Sequence, residues 1–236
     1  MRRSSRPMRA YHGNAKLKRR VLAKIAAHRS AGEIGKGGYV HAKRRRNYGA
    51  VACLLEDPAG GHLRYENEFG IPAQLAHLED SIFELLPDEQ AQAWPERFMG
   101  AIEPGADLVG VWPHFAVWLM SDDTWGVTGA SDAPEVNAIC RRVAEGYARL
   151  LANDPLSAEQ AAALTRDAWA AWEQRAGPDG TDERAVWAAR AARAAWDGRA
   201  AGALQAAWAA RDVWDAHVQA CAEQLIELIE RAPAAR

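Results

Sequence analysis

"RAVWAARAARAAWDGRAAGALQAAWAARDVWDAHV", residues Arg184 to Val218, is more than a third alanine yet carries four of the chain's ten tryptophans. Alanine is the strongest helix former, so the stretch is helical before any packing is considered. Projected on a helix, Trp196, Ala200, Ala203, Ala207, Ala210, Trp214, Val218, Cys221, Leu225 and Leu228 succeed one another in steps of three or four. The seam is thin in its middle and thick at its ends. Alanines let a partner helix come close, and each buried tryptophan removes roughly 200 Å² from water. The pattern predicts one long helix from Thr181 or Asp182 to Arg231, bent at Gly198 and Gly202, packed in an Ala/Trp-rich helical hairpin. An alanine-lined face needs a close partner, so a homo-oligomer through these C-terminal helices is expected.

A second pattern overlies the first. Each of the six tryptophans from Trp169 onward has an arginine three residues away: Arg166 or Arg175 for Trp169 and Trp172, Arg184 and Arg190 for Trp187, Arg193 and Arg199 for Trp196, Arg211 for Trp208 and Trp214. Helix positions three apart are neighbours, so guanidinium can lie over indole. Multiplication of units such as "WAAR" by drift explains the pattern without function. The functional alternative is a protein-binding surface, since Trp and Arg dominate interface hot spots. Trp187 and Trp208 fall off the seam beside Arg190 and Arg211, so these four are the protein-binding candidates.

Upstream, helical spacing continues. Ser157 and Gln160 form a capping box for a helix running to about Arg175. "PEVNAICRRVAEGYARLL" turns Val136, Ile139, Val143, Tyr147 and Leu150 to one side. "ADLVGVWPHFAVWLM" and "DEQAQAWPERFMGAI" read as two further helices. "IPAQLAHLEDSIFELL" puts Leu75, Leu78, Ile82, Phe83 and Leu86 on one face, with Pro72 at its start and Pro87 as its stop. Tyr39–Ala42 and Ala50–Leu55 are short glycine-bounded runs that predict a small β-hairpin near 39–55. Ala15–His28 is a short basic amphipathic helix, and residues 1–13 read as a flexible arm. The fold class is mainly α, with three parts: a basic arm at 1–48, an acidic helical domain at 49–154 and an Ala/Trp/Arg-rich helical tail at 155–236.

Net charge is −2, but it is segregated: residues 1–46 hold 15 Lys/Arg against Glu33 alone, and residues 47–154 hold 5 basic against 18 acidic side chains. A segment this basic suits a polyanion, or it folds back on the acidic middle of its own or a twin chain. The candidate nucleic-acid-binding residues are Lys16, Lys18, Arg19, Arg20 and Lys24 on the helix, and Tyr39, Lys43, Arg44, Arg45, Arg46 and Tyr48 in "HAKRRRNYG" and its flank. They combine phosphate-seeking cations with rings able to stack on bases.

Catalytic patterns are absent. "GKGG" lacks the rest of a phosphate loop, and "SDD" at 121–123 reads as a solvated turn. Cys53 and His62 match no nucleophile template, so a Cys53-dependent enzyme is a distant alternative. Three widely spaced cysteines predict neither disulfides nor a zinc site, and a reducing cytoplasm follows. No cofactor or metal is expected. The apolar window Leu108–Met120 contains Pro113 and His114 and is too short to span a bilayer, and no apolar run follows the basic N-terminus as a secretory signal requires.

The runs "AYHGNAKLKRRVLAKIAAHRSAGEI", "YGAVACLL", "YENEFGIPAQLAHLEDSIFELLP", "WPERFMGAIEPGADL" and "WPHFAVWLM" resemble a family of uncharacterised bacteriophage and bacterial proteins. Some members have alanine-rich helical tails similar to toxin-immunity proteins. The resemblance covers most of residues 10–120 and carries no catalytic residues. Members of that family have a second cysteine and a histidine around the segment matching Tyr48–Asp57, where this chain has Tyr48, Glu56 and Asp57. The resemblance implies a phage or mobile-element protein that binds a host factor. The expected function is therefore non-enzymatic: engagement of nucleic acid or a nucleoprotein through the basic region. The alternative is an inhibitor or immunity-type, anti-defence protein that blocks a partner enzyme through its acidic and Trp/Arg surfaces.

Overall fold

The structure is a computed structural model that describes residues 8–37, 48–55, 61–130, 132–175, 182–210 and 214–235. It is mainly α, with no extended strand among the described residues and only the isolated bridges Ile34–Tyr48 and Ala106–Ala234. The chain divides into two compact units, residues 1–111 with 222–236 and residues 112–221. These bounds fall elsewhere than the 48/49 and 154/155 divisions read from composition.

The first unit begins with a 3-10 turn, Ala10–Gly13, followed by α1 (Ala15–Ser30), α2 (Ala50–Leu55), α3 (Arg64–Phe69), α4 (Ala73–Leu85) and α5 (Asp88–Ala101). Helix α4 is where the periodicity reads true: Leu75, Leu78, Ile82 and Phe83 are fully buried, each worth about 2 kcal/mol of apolar burial. Pro72 caps it from outside rather than starting it, and Leu86 leaves the helix in extended conformation just before Pro87. Glu79 lies on the same arc and is also fully buried. Helix α5 runs through Pro95, which removes the donor that would reach Ala91. The Trp94 indole N–H donates to the Glu79 carbonyl at 2.9 Å, joining α5 to α4. The unit is completed from the far end of the sequence. Asp107 N–H donates to Pro233 O at 2.7 Å, and Ala235 N–H to Gly105 O at 2.8 Å.

Two expectations are corrected here. Ala50–Leu55 is a helix, not the second strand of a hairpin. A six-residue apolar run carries no period, and this one is buried along nearly all its length. Its proposed partner, Tyr39–Ala42, lies outside the described residues. The arm at 1–13 is not wholly free either. Ala10 and Tyr11 are fully buried, Ala10 N–H donates to Ala106 O at 3.0 Å, and the Tyr11 hydroxyl donates to Met99 O at 2.6 Å.

The second unit contains most of α6 (Val111–Ser121), then α7 (Pro134–Leu151), α8 (Ala158–Arg175), α9 (Glu183–Trp196), α10 (Ala200–Ala209) and the first half of α11 (Trp214–Glu230). The α8 capping box forms as read: Gln160 N–H donates to Ser157 Oγ at 3.2 Å, and Ser157 N–H to Gln160 Oε1 at 2.9 Å. Asp182 caps α9 by accepting from Ala185 N–H at 3.1 Å. On α7, Val136, Ile139, Val143 and Tyr147 are buried, whereas Leu150 is exposed.

The long helix from 184 to 231 does not exist as one piece. Helix α9 stops at Trp196 because Gly198, at φ +70°, closes a Schellman motif: Arg199 N–H reaches Ala194 O at 2.9 Å and Gly198 N–H reaches Ala195 O at 3.0 Å. Helices α9 and α10 then pack on each other, and Ala191, Ala192, Ala195, Ala203 and Ala207 along them are all fully buried. A Cβ on Gly202 would lie 3.6 Å from that of Ala194, so the helices do approach closely. The close partner demanded by the alanine seam is therefore another stretch of the same chain, which removes that argument for an oligomer. Trp196 packs inside the unit: its ring stands edge-on to Tyr147 at 5.8 Å, and its indole N–H donates to Thr165 Oγ1 at 2.9 Å.

Candidate nucleic-acid interface

Asn14 sets the start of α1 by accepting from Lys16 N–H at 2.9 Å and Leu17 N–H at 3.3 Å. Burial of Val21 and Ile25 fixes the rotation of the helix. That rotation leaves Lys16, Arg19, Arg20, Ala23, Ala26, Ala27 and Ser30 exposed, a ridge repeating at three- and four-residue steps. Lys16, Arg19 and Arg20 make no side-chain ion pair with a described residue. The first turn of α1 contains no acidic residue, and its cations Lys16 and Lys18 stand at the positive end of the helix dipole. Placement that disfavours the isolated helix favours an arriving anion.

Four other described cations of the N-terminal region, Lys18, Lys24, Arg29 and Lys36, are engaged within the chain. Lys18 pairs with Glu103 at 3.0 Å, with only 15% of its side chain exposed. Lys24 donates to the Leu54 carbonyl at 2.8 Å and ties α1 to α2. Arg29 meets Glu96 at 2.6 Å, and Lys36 meets Asp88 at 3.1 Å. Part of the basic segment thus does fold back onto acidic side chains of the same chain. Tyr48 is half-buried, edge-on to His28 at 5.1 Å, with its backbone held by Glu33 and Gly35. It is a structural ring rather than a free platform for a base. Of the predicted set, Lys16, Arg19 and Arg20 are presented together, and Lys18, Lys24 and Tyr48 are corrected to structural roles. Tyr39, Lys43, Arg44, Arg45 and Arg46 lie outside the described residues.

The Cys53 environment is the reverse of a nucleophile's. The side chain is fully buried and donates to Ala50 O at 3.0 Å, and burial, reinforced by the nearby Glu79, pushes the thiol far above its ordinary value. His62 lies against His77 at 4.0 Å and against Asp80 at 3.3 Å. Glu79 accepts from the Tyr65 hydroxyl at 2.8 Å, its other oxygen has no hydrogen-bond partner among the described residues, and burial raises its carboxyl well above the usual range. Sequence reading missed this residue, though its position between Leu75 and Ile82 on the buried arc was visible. Asp122 of "SDD" accepts from Thr124 N–H and Trp125 N–H, closing its own turn. Among the described residues no three His, Cys, Asp or Glu side chains are grouped to hold a metal ion.

Two of the surface grooves are lined wholly by described residues. One of about 410 Å³ lies between Arg97 and Gly100 on α5 and Glu223, Glu227 and Glu230 on α11, with Arg97 clamped to Glu223. The other, of about 260 Å³, lies between Arg142 and Arg149 on α7 and Leu156, Gln160 and Leu164. Neither brings a nucleophile beside a base.

The protein-binding candidates are placed unevenly. Arg190 stacks on Trp187 at 5.0 Å, as their spacing predicts. Trp208 is half-buried, and Arg211 lies outside the described residues. Arg193 does not follow the three-residue rule: its guanidinium sits against Trp169 and Trp172 of α8 instead. No helix among the described residues is long and apolar enough to cross a membrane. Comparison with protein-family models, with curated proteins and with solved structures finds no match to this chain.

Proposed function

We propose that this chain is a non-enzymatic nucleic-acid-binding protein whose contact surface is the outer ridge of α1. The observation that carries the reading is the grouping of Lys16, Arg19 and Arg20 on one exposed face, with no carboxylate of a described residue paired to them. The basic run Lys43–Arg46 adds four cations to the same N-terminal region in sequence. The contact is to phosphate and is therefore expected to be insensitive to base sequence. The phage or mobile-element setting implied by the resemblance of residues 10–120, and a nucleoprotein as the natural target, belong to this proposal.

Counterion release gives the test. Three phosphate contacts contribute a slope of about −2.7 to log K against log salt, so a fourfold rise in salt costs about 40-fold in affinity through them. The triple variant Lys16→Ala, Arg19→Ala, Arg20→Ala should bind a short duplex more weakly and flatten the slope by about that amount. An unchanged affinity and slope in the triple variant would overturn the assignment, whatever the rest of the chain contributes. The second reading, a protein-binding role for the arginine–tryptophan surface, is favoured by the stacked and exposed Arg190 beside Trp187.

A further inference from the structure

Arg193 is the arginine that the folded chain encloses most completely among the described residues. It is 8% exposed, and its guanidinium carbon lies 4.0 Å from the Trp169 ring centre and 4.4 Å from that of Trp172. The two rings, on adjacent turns of α8, stand at 82° to each other with centres 5.8 Å apart. A planar guanidinium can lie parallel to only one of two perpendicular rings, so it occupies the corner between them. The rings take up its faces and leave its in-plane N–H groups for another partner.

Among the described residues these groups have none. Arg193 makes no hydrogen bond or ion pair with a described residue, and its Nε is buried without an acceptor. Enclosed arginines are almost always paired with a carboxylate, because desolvating the charge is costly. Indole faces compensate in part, but they accept none of the in-plane N–H groups. The surrounding protein also disfavours the cation: burial first, then the nearby Arg199, lowers the Arg193 pKa. Trp169, one of the two rings against it, is 39% exposed.

We propose that the corner of Trp169, Trp172 and Arg193 is a docking point for a glutamate or aspartate side chain of an acidic protein segment. A carboxylate matches the two parallel N–H groups at the guanidinium edge, and the aliphatic stem of the side chain lies on the exposed indole. Phosphate fits less well, because Asp197 and Glu173 are close enough to act on Arg193 and repel a doubly charged group more strongly. The site lies wholly within the second unit and is independent of the nucleic-acid reading.

The experiment uses the full chain labelled with ¹⁵N and follows the Arg193 Nε–H resonance, assigned by its loss in Arg193→Lys. The probe is the blocked peptide Ac-Ala-Glu-Leu-Glu-Ala-NH₂, with its Gln-for-Glu counterpart and inorganic phosphate as controls. The Glu peptide should move the resonance saturably, and the Gln peptide should bind about tenfold more weakly or worse. Trp169→Ala should weaken the Glu peptide while the resonance persists. A resonance unmoved by the Glu peptide would overturn the proposal, and equal responses to the Gln peptide or to phosphate would do the same.

Discussion

Gly146 on α7 lies in tight contact with the Trp196 ring, and replacing it by alanine tests how the second unit is held together. A Cβ there would lie 2.7 Å from Cζ3 and 3.0 Å from Cη2 of Trp196, where carbon atoms prefer about 3.5–4.0 Å. The ring must retreat by roughly 1 Å. It has little freedom to do so, because its N–H is bound to Thr165 at 2.9 Å and it stands edge-on to Tyr147, whose hydroxyl donates to Ala195 O at 2.6 Å. Overpacking costs about 1–3 kcal/mol, and loss of the indole hydrogen bond costs about 1 kcal/mol more. Against this, alanine in a helix interior gains about 1 kcal/mol over glycine. The net expectation for Gly146→Ala is a destabilisation of about 1–3 kcal/mol, read as a lower urea midpoint with unchanged slope by far-ultraviolet circular dichroism. Trp196→Leu in the same chain removes the obstruction, so the double variant should be less destabilised than the sum of the singles. A Gly146→Ala protein as stable as the parent, or more so, would refute the close α7–Trp196 contact.

Other perturbations separate the remaining interactions. Gly198→Ala meets open space, so its cost is the left-handed backbone alone, about 1 kcal/mol in the same urea titration. Tyr11→Phe deletes a buried hydrogen bond to Met99 O and should cost about 1 kcal/mol, a check on the docking of the N-terminal turn. Glu79 has a folded-state pKa raised chiefly by burial, so the native state holds its proton to higher pH than the unfolded chain does. Its effect is absent below the unfolded carboxyl pKa, and stability is lost as pH rises above that value towards the folded one. Glu79→Gln should therefore match the parent near pH 4 and gain on it steadily towards neutral and alkaline pH; parallel pH profiles would show that Glu79 is not held protonated. All three cysteines are buried and outside any disulfide, with burial pushing Cys140 up to about 12, so Ellman's reagent should react with none in the native chain and with all three in denaturant.

What the sequence disclosed depended on whether the signal was local. The faces of α4 and α7 were legible because each carries several turns of regular apolar spacing, and the caps of α8 and α9 because Ser157, Gln160 and Asp182 act within three residues. Ala50–Leu55 was ambiguous because a short, wholly apolar run looks alike as strand or helix. The break after Trp196 was missed because Gly198 was read as a bend within a helix rather than as the left-handed residue that ends one. The α1 ridge was half legible. Charge identified the helix, but the rotation fixed by Val21 and Ile25, and the distant partners Glu103 and Leu54, decided which cations stay exposed. Arg193 shows the limit most directly. Sequence spacing pointed to Trp196, while the partners it meets belong to another helix.

The antiparallel bridge between Ala106 and Ala234 has a consequence for how the chain assembles. Residues 222–236 complete a unit whose other residues all precede position 112, whereas residues 112–221 form a contiguous unit. Closing the first unit requires a loop of more than a hundred residues, a slow step until that loop is itself compact. The middle of the chain can thus fold on its own schedule and draw the two flanks together, leaving the α1 surface mounted on a unit finished last. A truncation that removes residues 232–236 would strip Asp107 and Gly105 of their backbone partners and should loosen the N-terminal helices first, far away in sequence from the cut.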